Sequence, residues 1–120
     1  MKIRIFQINP DRDIDHIRFL STKWLFSHAG YETISPAIYD KVFEGEVPVK
    51  DLGEVFAMFN RDDRPNSQAM HSLSVSDVVA VDESDTVAPG YYYCDPIGFT
   101  KVDFNPLTNK EKGGSNNVQQ

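Results

Sequence analysis

The sequence predicts an α+β domain: a small, mostly antiparallel sheet packed with two to three short helices and followed by a disordered polar tail. Three observations carry this. The chain opens on an alternating, strand-like run; its middle holds capping signals and apolar residues at helical spacing; and its second half returns to β-rich runs separated by turns. Strand, then helices, then strands is the order of an α+β fold rather than of repeating βαβ units. A chain of 120 residues fits one domain. The domain is expected over residues 1–104 and the tail over 105–120.

Lys2 to Asn9 alternates, with Ile3, Ile5 and Gln7 on one face and Arg4, Phe6 and Ile8 on the other. Apolar groups on both faces indicate a central or well-covered strand. Asn9-Pro10-Asp11 ends it as a turn signal. Ile14, Ile17 and Arg18 fit a helical turn, and His16 to Leu20 alternatively reads as a short strand. Ser21 and Thr22 can cap a helix over Lys23–His28, with Gly30 as its stop. Ser35-Pro36 places a hydroxyl at an N-cap and proline at N1, which predicts a helix with Ile38, Val42 and Phe43 as its apolar stripe and Gly45 as its end. Asp51 with Glu54 resembles a capping box. Leu52, Val55, Phe56 and Phe59 then follow at the spacing of one buried helix face, with Gly53 weakening the helix by roughly 1 kcal/mol.

Residues 60–68 are polar and read as an exposed loop. Leu73 to Val81 is β-rich, either as one strand or as a tight turn at Ser76-Asp77 followed by a strand. Asp82 to Gly90 is a long acidic turn, Tyr91 to Cys94 a strand, and Ile97 or Gly98 to Phe104 a last strand. The polar tail has too little apolar surface to offset its ordering unless it binds something.

Eighteen acidic against twelve basic residues leave a net charge of −6. Such a chain repels phosphate backbones, so direct nucleic-acid binding is not expected. The same charge suits docking on a basic surface of another protein, such as the groove of a nucleic-acid-binding nuclease. Cys94 is the only cysteine, so no internal disulfide can form and a reducing compartment is the simplest setting. No apolar run at the start makes a signal peptide, and none is long enough for a membrane span. A cytoplasmic protein without a membrane partner is the expectation.

HSLSVSDVVAVD, from His71, sets a histidine beside Ser72, Ser74, Ser76 and Asp77. A nucleophilic serine needs a base in hydrogen-bond reach and a group that orients the base. Neighbours on a strand point to opposite faces, and no G-x-S-x-G elbow is present. His71, Ser74, Ser76 and Asp77 are therefore read as a structural turn and strand, whose side chains bond nearby amides. His16, His28, His71 and Cys94 lack ligand spacing, so no metal or other cofactor is expected, and Cys94 reads as a small buried hydrophobe. The carboxylate sets Asp11/Asp13, Asp62/Asp63 and Asp82/Glu83/Asp85 lie in turns, where solvation and capping explain them. Tyr91 and Tyr93 share a strand face, and tyrosines supply interface anchors. Asp82, Glu83, Asp85, Tyr91 and Tyr93 are thus the candidate partner contacts.

Five blocks, KIRIFQINPDRD from Lys2, IYDKVFEGEV from Ile38, LGEVFAMFN from Leu52, HSLSVSDVV from His71 and YYCDPIGFTKVDF from Tyr92, together resemble the YodL-like domain family of Firmicutes. Asp95-Pro96 stands where that pattern has Asp-Ser. The resemblance implies an origin in plasmids, phages or conjugative elements and brings no catalytic residues. With the small size and acidic charge, it leads to a non-enzymatic modulator of a host factor, an anti-defence inhibitor of CRISPR or restriction. The alternatives are a regulator of a host machine for cell shape or division, and a small hydrolase built on His71, Asp77 and a serine.

Overall fold

In the computed structural model, residues 1–28 and 34–104 are described. Five strands, β1 (Lys2–Ile8), β2 (Tyr39–Glu46), β3 (Val78–Glu83), β4 (Gly90–Cys94) and β5 (Phe99–Val102), form one sheet in the order β2-β1-β3-β4-β5. Every neighbouring pair is antiparallel. Two helices, α1 (Thr22–His28) and α2 (Leu52–Met58), accompany it. The fold is α+β, as the order of sequence patterns predicts. Gly30 and the tail from residue 105 lie outside the described residues.

Strict alternation along β1 gives the sheet two apolar faces. Phe6 and Ile8 join Val78, Ala80 and Tyr93 on one face, under Ile17, Leu25, Ile34 and Phe104. Ile3 and Ile5 join Val79 and Val81 on the other, under Val55, Phe59, Met70 and Leu73. The result is a sheet buried on both sides, which is why β1 and β3 read as nearly continuous apolar runs.

Residues 35–46 overturn the helix expected there. Ser35 Oγ does accept the Ala37 amide at 3.3 Å, and Pro36 opens a turn, but this is a single 3-10 turn over Pro36–Ile38. Tyr39 then takes φ −102° and ψ 149°, and the chain continues as β2 against β1. The register slips between Ile5 and Phe6: Ile5 faces Phe43 and Phe6 faces Lys41, so Val42 is an extra, bulged residue. The bulge lets the adjacent Val42 and Phe43 both lean on the same core. Broken alternation of that kind mimics helical spacing. Gly45, read as a helix stop, is a strand residue paired with Ile3.

Between β1 and α1 the chain holds one 3-10 turn and otherwise neither helix nor strand. Asn9 accepts the Asp11 amide and starts a 3-10 turn over Pro10–Arg12. The buried Asp13 carboxylate then accepts the amides of Ile17 at 2.9 Å and Arg18 at 3.0 Å, which folds this loop onto itself. Ser21 Oγ caps α1 through the Trp24 amide at 3.1 Å. Asp51 caps α2 as expected, accepting the Glu54 amide at 2.8 Å, while Glu54 reaches back to the Lys50 amide at 2.8 Å.

Candidate functional site

The histidine-serine-aspartate stretch is a turn that joins three strands. The Asp77 amide donates to the Ser74 carbonyl at 3.0 Å, closing a β-turn whose third residue, Ser76, has φ +85°. The Ser76 amide donates to the Cys94 carbonyl at 2.9 Å, and the Cys94 amide to the Asp77 carbonyl at 2.8 Å, so the turn feeds β3 directly beside β4. Ser76 Oγ accepts the Phe19 amide at 3.0 Å, and Tyr39 Oη donates to the Ser76 carbonyl at 2.7 Å. Ser74 Oγ donates to the Ser72 carbonyl at 2.9 Å.

Asp77 is 1% exposed and accepts the Ser74 amide at 2.8 Å and Gln7 Nε2 at 3.0 Å on the same oxygen. Burial pushes its carboxyl up to about 7, with those two hydrogen bonds and the charge of Arg18 pulling the other way. His71 Nδ1 lies 2.7 Å from the Ser72 carbonyl. A carbonyl only accepts, so Nδ1 carries the proton and the 3.2 Å approach of Gln7 Nε2 is a contact rather than a bond. The amide of Gln7 is instead spent on the His71 carbonyl at 2.9 Å and on Asp77. His71 Nε2 is buried and has no hydrogen-bond partner among the described residues. Burial holds the imidazole below its usual range despite the Ser72 contact, and Arg18 and Arg64 add to the effect.

This turn forms one wall of a cleft of about 500 Å³. Leu73, Ser74 and Val75 supply that wall, Gly53 and Phe56 of α2 a second, and Cys94 to Pro96 with Gly98 and Phe99 a third. The third wall is a tight hairpin loop between β4 and β5. The Asp95 amide donates to the Gly98 carbonyl at 3.0 Å, Pro96 fits the second turn position, and Gly98 takes φ +71°. Proline in place of serine at position 96 therefore suits the turn. The Asp95 carboxylate ties the loop to α1, accepting the Thr22 amide and hydroxyl, each at 2.8 Å. It also accepts the Thr100 hydroxyl. Cys94 is 1% exposed, and burial pushes its thiol up to about 12. It behaves as a small core residue rather than a nucleophile.

Phe56 corrects the helix-face expectation. Val55 and Phe59 are wholly buried, whereas Phe56 is 41% exposed. Val55 and the C-cap residue Phe59, four residues on, point at the sheet, and Phe56, 100° round from Val55, faces the cleft. Ile97, at the tip of the hairpin loop, is 93% exposed. The sequence showed no cavity signal at these positions. A phenylalanine on the flank of a two-turn helix and a Pro-Ile-Gly loop are ordinary features until folding places them opposite each other.

The acidic and tyrosine candidates are divided between places. Arg4 forks onto Asp82, Nε at 3.0 Å and Nη2 at 2.8 Å, and its guanidinium carbon sits 5.6 Å from the rings of both Phe6 and Tyr91. These partners hold its charge more firmly than usual. Tyr91 also packs on Phe104 at 5.5 Å, on the face opposite the cleft. Tyr93 cannot be a partner contact. It is 0% exposed, its hydroxyl donates to the Leu20 carbonyl at 2.6 Å, and burial raises its phenol. Its place on a central strand, next to the covered β3, is the reason. Glu83 and Asp85 are exposed. Their loop is folded by Ser84 Oγ, which accepts the amides of Thr86 and Val87, and it is joined to the start of α2 by the Thr86 hydroxyl bonding the Lys50 carbonyl. That bond holds the loop against Lys50, one residue before the Asp51 cap of α2, while Glu54 lies on the flank of α2 away from Phe56, beside Pro48, Val49 and Arg61.

Among the described residues, no group of three or more His, Cys, Asp or Glu side chains could hold a metal ion, and no helix is long and apolar enough to cross a membrane. Searches of the curated proteins and of the solved structures return no match. The family model described as YodL-like domain matches residues 2–104, which takes in the whole sheet, both helices and every wall of the cleft. The chain belongs to the YodL-like domain family.

Proposed function

We propose that this domain is a non-enzymatic, protein-binding modulator carried by a mobile genetic element, and that it acts in the cytoplasm as an anti-defence inhibitor. It docks on a basic surface of a host protein, such as the nucleic-acid groove of a CRISPR or restriction nuclease. The observation that carries this reading is the apolar cleft between α2 and the β4–β5 loop, on a domain that also exposes Asp51, Glu54, Glu83 and Asp85. An apolar recess on an acidic domain suits a partner that offers an apolar side chain among basic ones. The net charge of −6 steers such encounters. The use of His71, Ser74, Ser76 and Asp77 to bond main chain supports the non-enzymatic part, because His71 Nε2 is shut away from any substrate.

The test is survival of incoming DNA in paired hosts that carry or lack a nuclease defence. Wild-type protein is expected to protect DNA in the first host, and Phe56→Gln to lose most of that protection while staying folded. Equal survival with and without the protein would refute the anti-defence role. A growth or shape defect in the defence-free host would favour a regulator of a host machine instead.

A further inference from the structure

Ile97 is the most exposed large apolar side chain among the described residues, at 93%. It stands on the rim of the cleft. Pro96 and Gly98, its two neighbours in sequence, line the recess, whereas the Ile97 side chain is outside it and in water. Successive Cα atoms are about 3.8 Å apart, so an apolar knob and an apolar hole share one small patch. The knob is also held in place. The Asp95 amide donates to the Gly98 carbonyl at 3.0 Å, the Pro96 ring fixes its own φ, and the Asp95 carboxylate is anchored on the Thr22 amide and hydroxyl. A loop set in advance loses little freedom when it is buried.

A knob beside a hole on one surface is self-complementary. Turning a second copy over, about an axis in the contact plane midway between knob and hole, brings each Ile97 against the other copy's cleft. That is the geometry of a closed two-fold contact. The recess of about 500 Å³ has room for an isoleucine and the turn that carries it, and the exposed flank of Phe56 gives it an aromatic wall. Local charge does not oppose the contact. Asp95 is the one charged residue among those lining the cleft, and its carboxylate is spent on Thr22 and Thr100. Asp51, at the α2 end, is turned onto the Glu54 amide at 2.8 Å. The repulsion that remains is that of a net charge of −6 on each copy, and salt screens it.

We infer that the cleft receives a second copy of this chain: two copies form a two-fold dimer in which Ile97 of each is seated in the cleft of the other. The contact is small, so the dimer is weak and forms at high protein concentration. Because it covers the recess, it competes with the docking role proposed above, and the monomer is the form that docks. That consequence rests on the docking role; the dimer itself does not.

The experiment is sedimentation equilibrium and amide-resolved NMR of the full chain, from about 10 μM to about 1 mM. A monomer–dimer equilibrium is expected, with concentration-dependent shifts at Ile97 and at the cleft residues Gly53, Phe56, Ser74 and Val75. Added salt should tighten it, whereas docking on a basic surface weakens with salt. Ile97→Ser removes the knob and Phe56→Gln spoils the hole, both at exposed positions, and each should weaken self-association by about tenfold or more. Mixed one to one, the two variants should associate more tightly than either alone, because the intact Ile97 of one meets the intact cleft of the other. A protein that stays monomeric at about 1 mM overturns the inference. So does a dimer whose shifts lie elsewhere, or one that ignores Ile97→Ser. Monomeric protein that still protects incoming DNA overturns the dimer and leaves the docking role standing, and a dimer of the expected kind without protection does the reverse.

Discussion

Ser76 holds φ +85° with its side chain wholly buried, a backbone setting that glycine adopts freely and serine does not. What serine adds is Oγ, which satisfies the Phe19 amide at 3.0 Å. Ser76→Ala keeps the strain and strands that amide, so it is expected to cost about 1–2 kcal/mol in urea denaturation. Ser76→Gly relieves strain of about 1 kcal/mol and should be the milder change. The neighbouring Asp77 controls pH dependence. Its carboxyl rises from 3.8 to about 7 on folding, so between those values the folded protein holds more protons than the unfolded one. Stability from this group is therefore present below pH 4 and lost as pH rises towards 7, by on the order of 4 kcal/mol. The lowered imidazole of His71 acts in the opposite sense, losing stability as pH falls below 6.5. Comparing wild type with Asp77→Asn by denaturation across this range isolates the aspartate, and the difference between the two proteins should flatten above pH 7. The turn was legible from Ser and Asp chemistry alone. Its buried partner Gln7 was not, since it lies 70 residues away and meets Asp77 only once β1 and β3 pair.

At the scale of elements, β1, α1, α2 and the order of the last three strands were readable because each carries an intact periodicity or cap. β2 was not, because the Val42 bulge breaks the alternation and Ser35-Pro36 caps a 3-10 turn as well as it would a helix. Tyr39, Val42 and Phe43 favour strands, but the unfilled edge of β1 decides the matter, and that is a tertiary fact. Hydrogen exchange checks the assignment: the β2 amides that bond β1 should be protected, alternating with fast outward ones, whereas a helix would protect consecutive amides. α2 offers a second check. A methyl at Gly53 would meet only Asp51 Oδ1, at an ordinary 3.4 Å. Gly53→Ala is therefore expected to raise stability by about 0.5–1 kcal/mol in urea denaturation. It should also narrow the cleft.

For the molecule as a whole, the cleft is a product of topology. Gly53 and Phe56, Leu73 to Val75, and Cys94 to Pro96 with Gly98 and Phe99 come from three separate stretches, assembled because α2 lies on one face of the sheet and the Ser74–Asp77 turn pins β3 to β4. Composition showed the acidic charge that suits a basic partner, yet the recess has no signature along the chain. The two tyrosines read as contacts went to an ion-pair cluster and to the core. Photocrosslinking in host cells tests the docking role most directly, with a photoreactive residue placed either at Phe56 in the cleft or at the exposed Glu44 on the far β2 edge. A discrete adduct from position 56 to a protein with a basic surface, absent from position 44, is the predicted result. No adduct from position 56, or the same adducts from both positions, would contradict it.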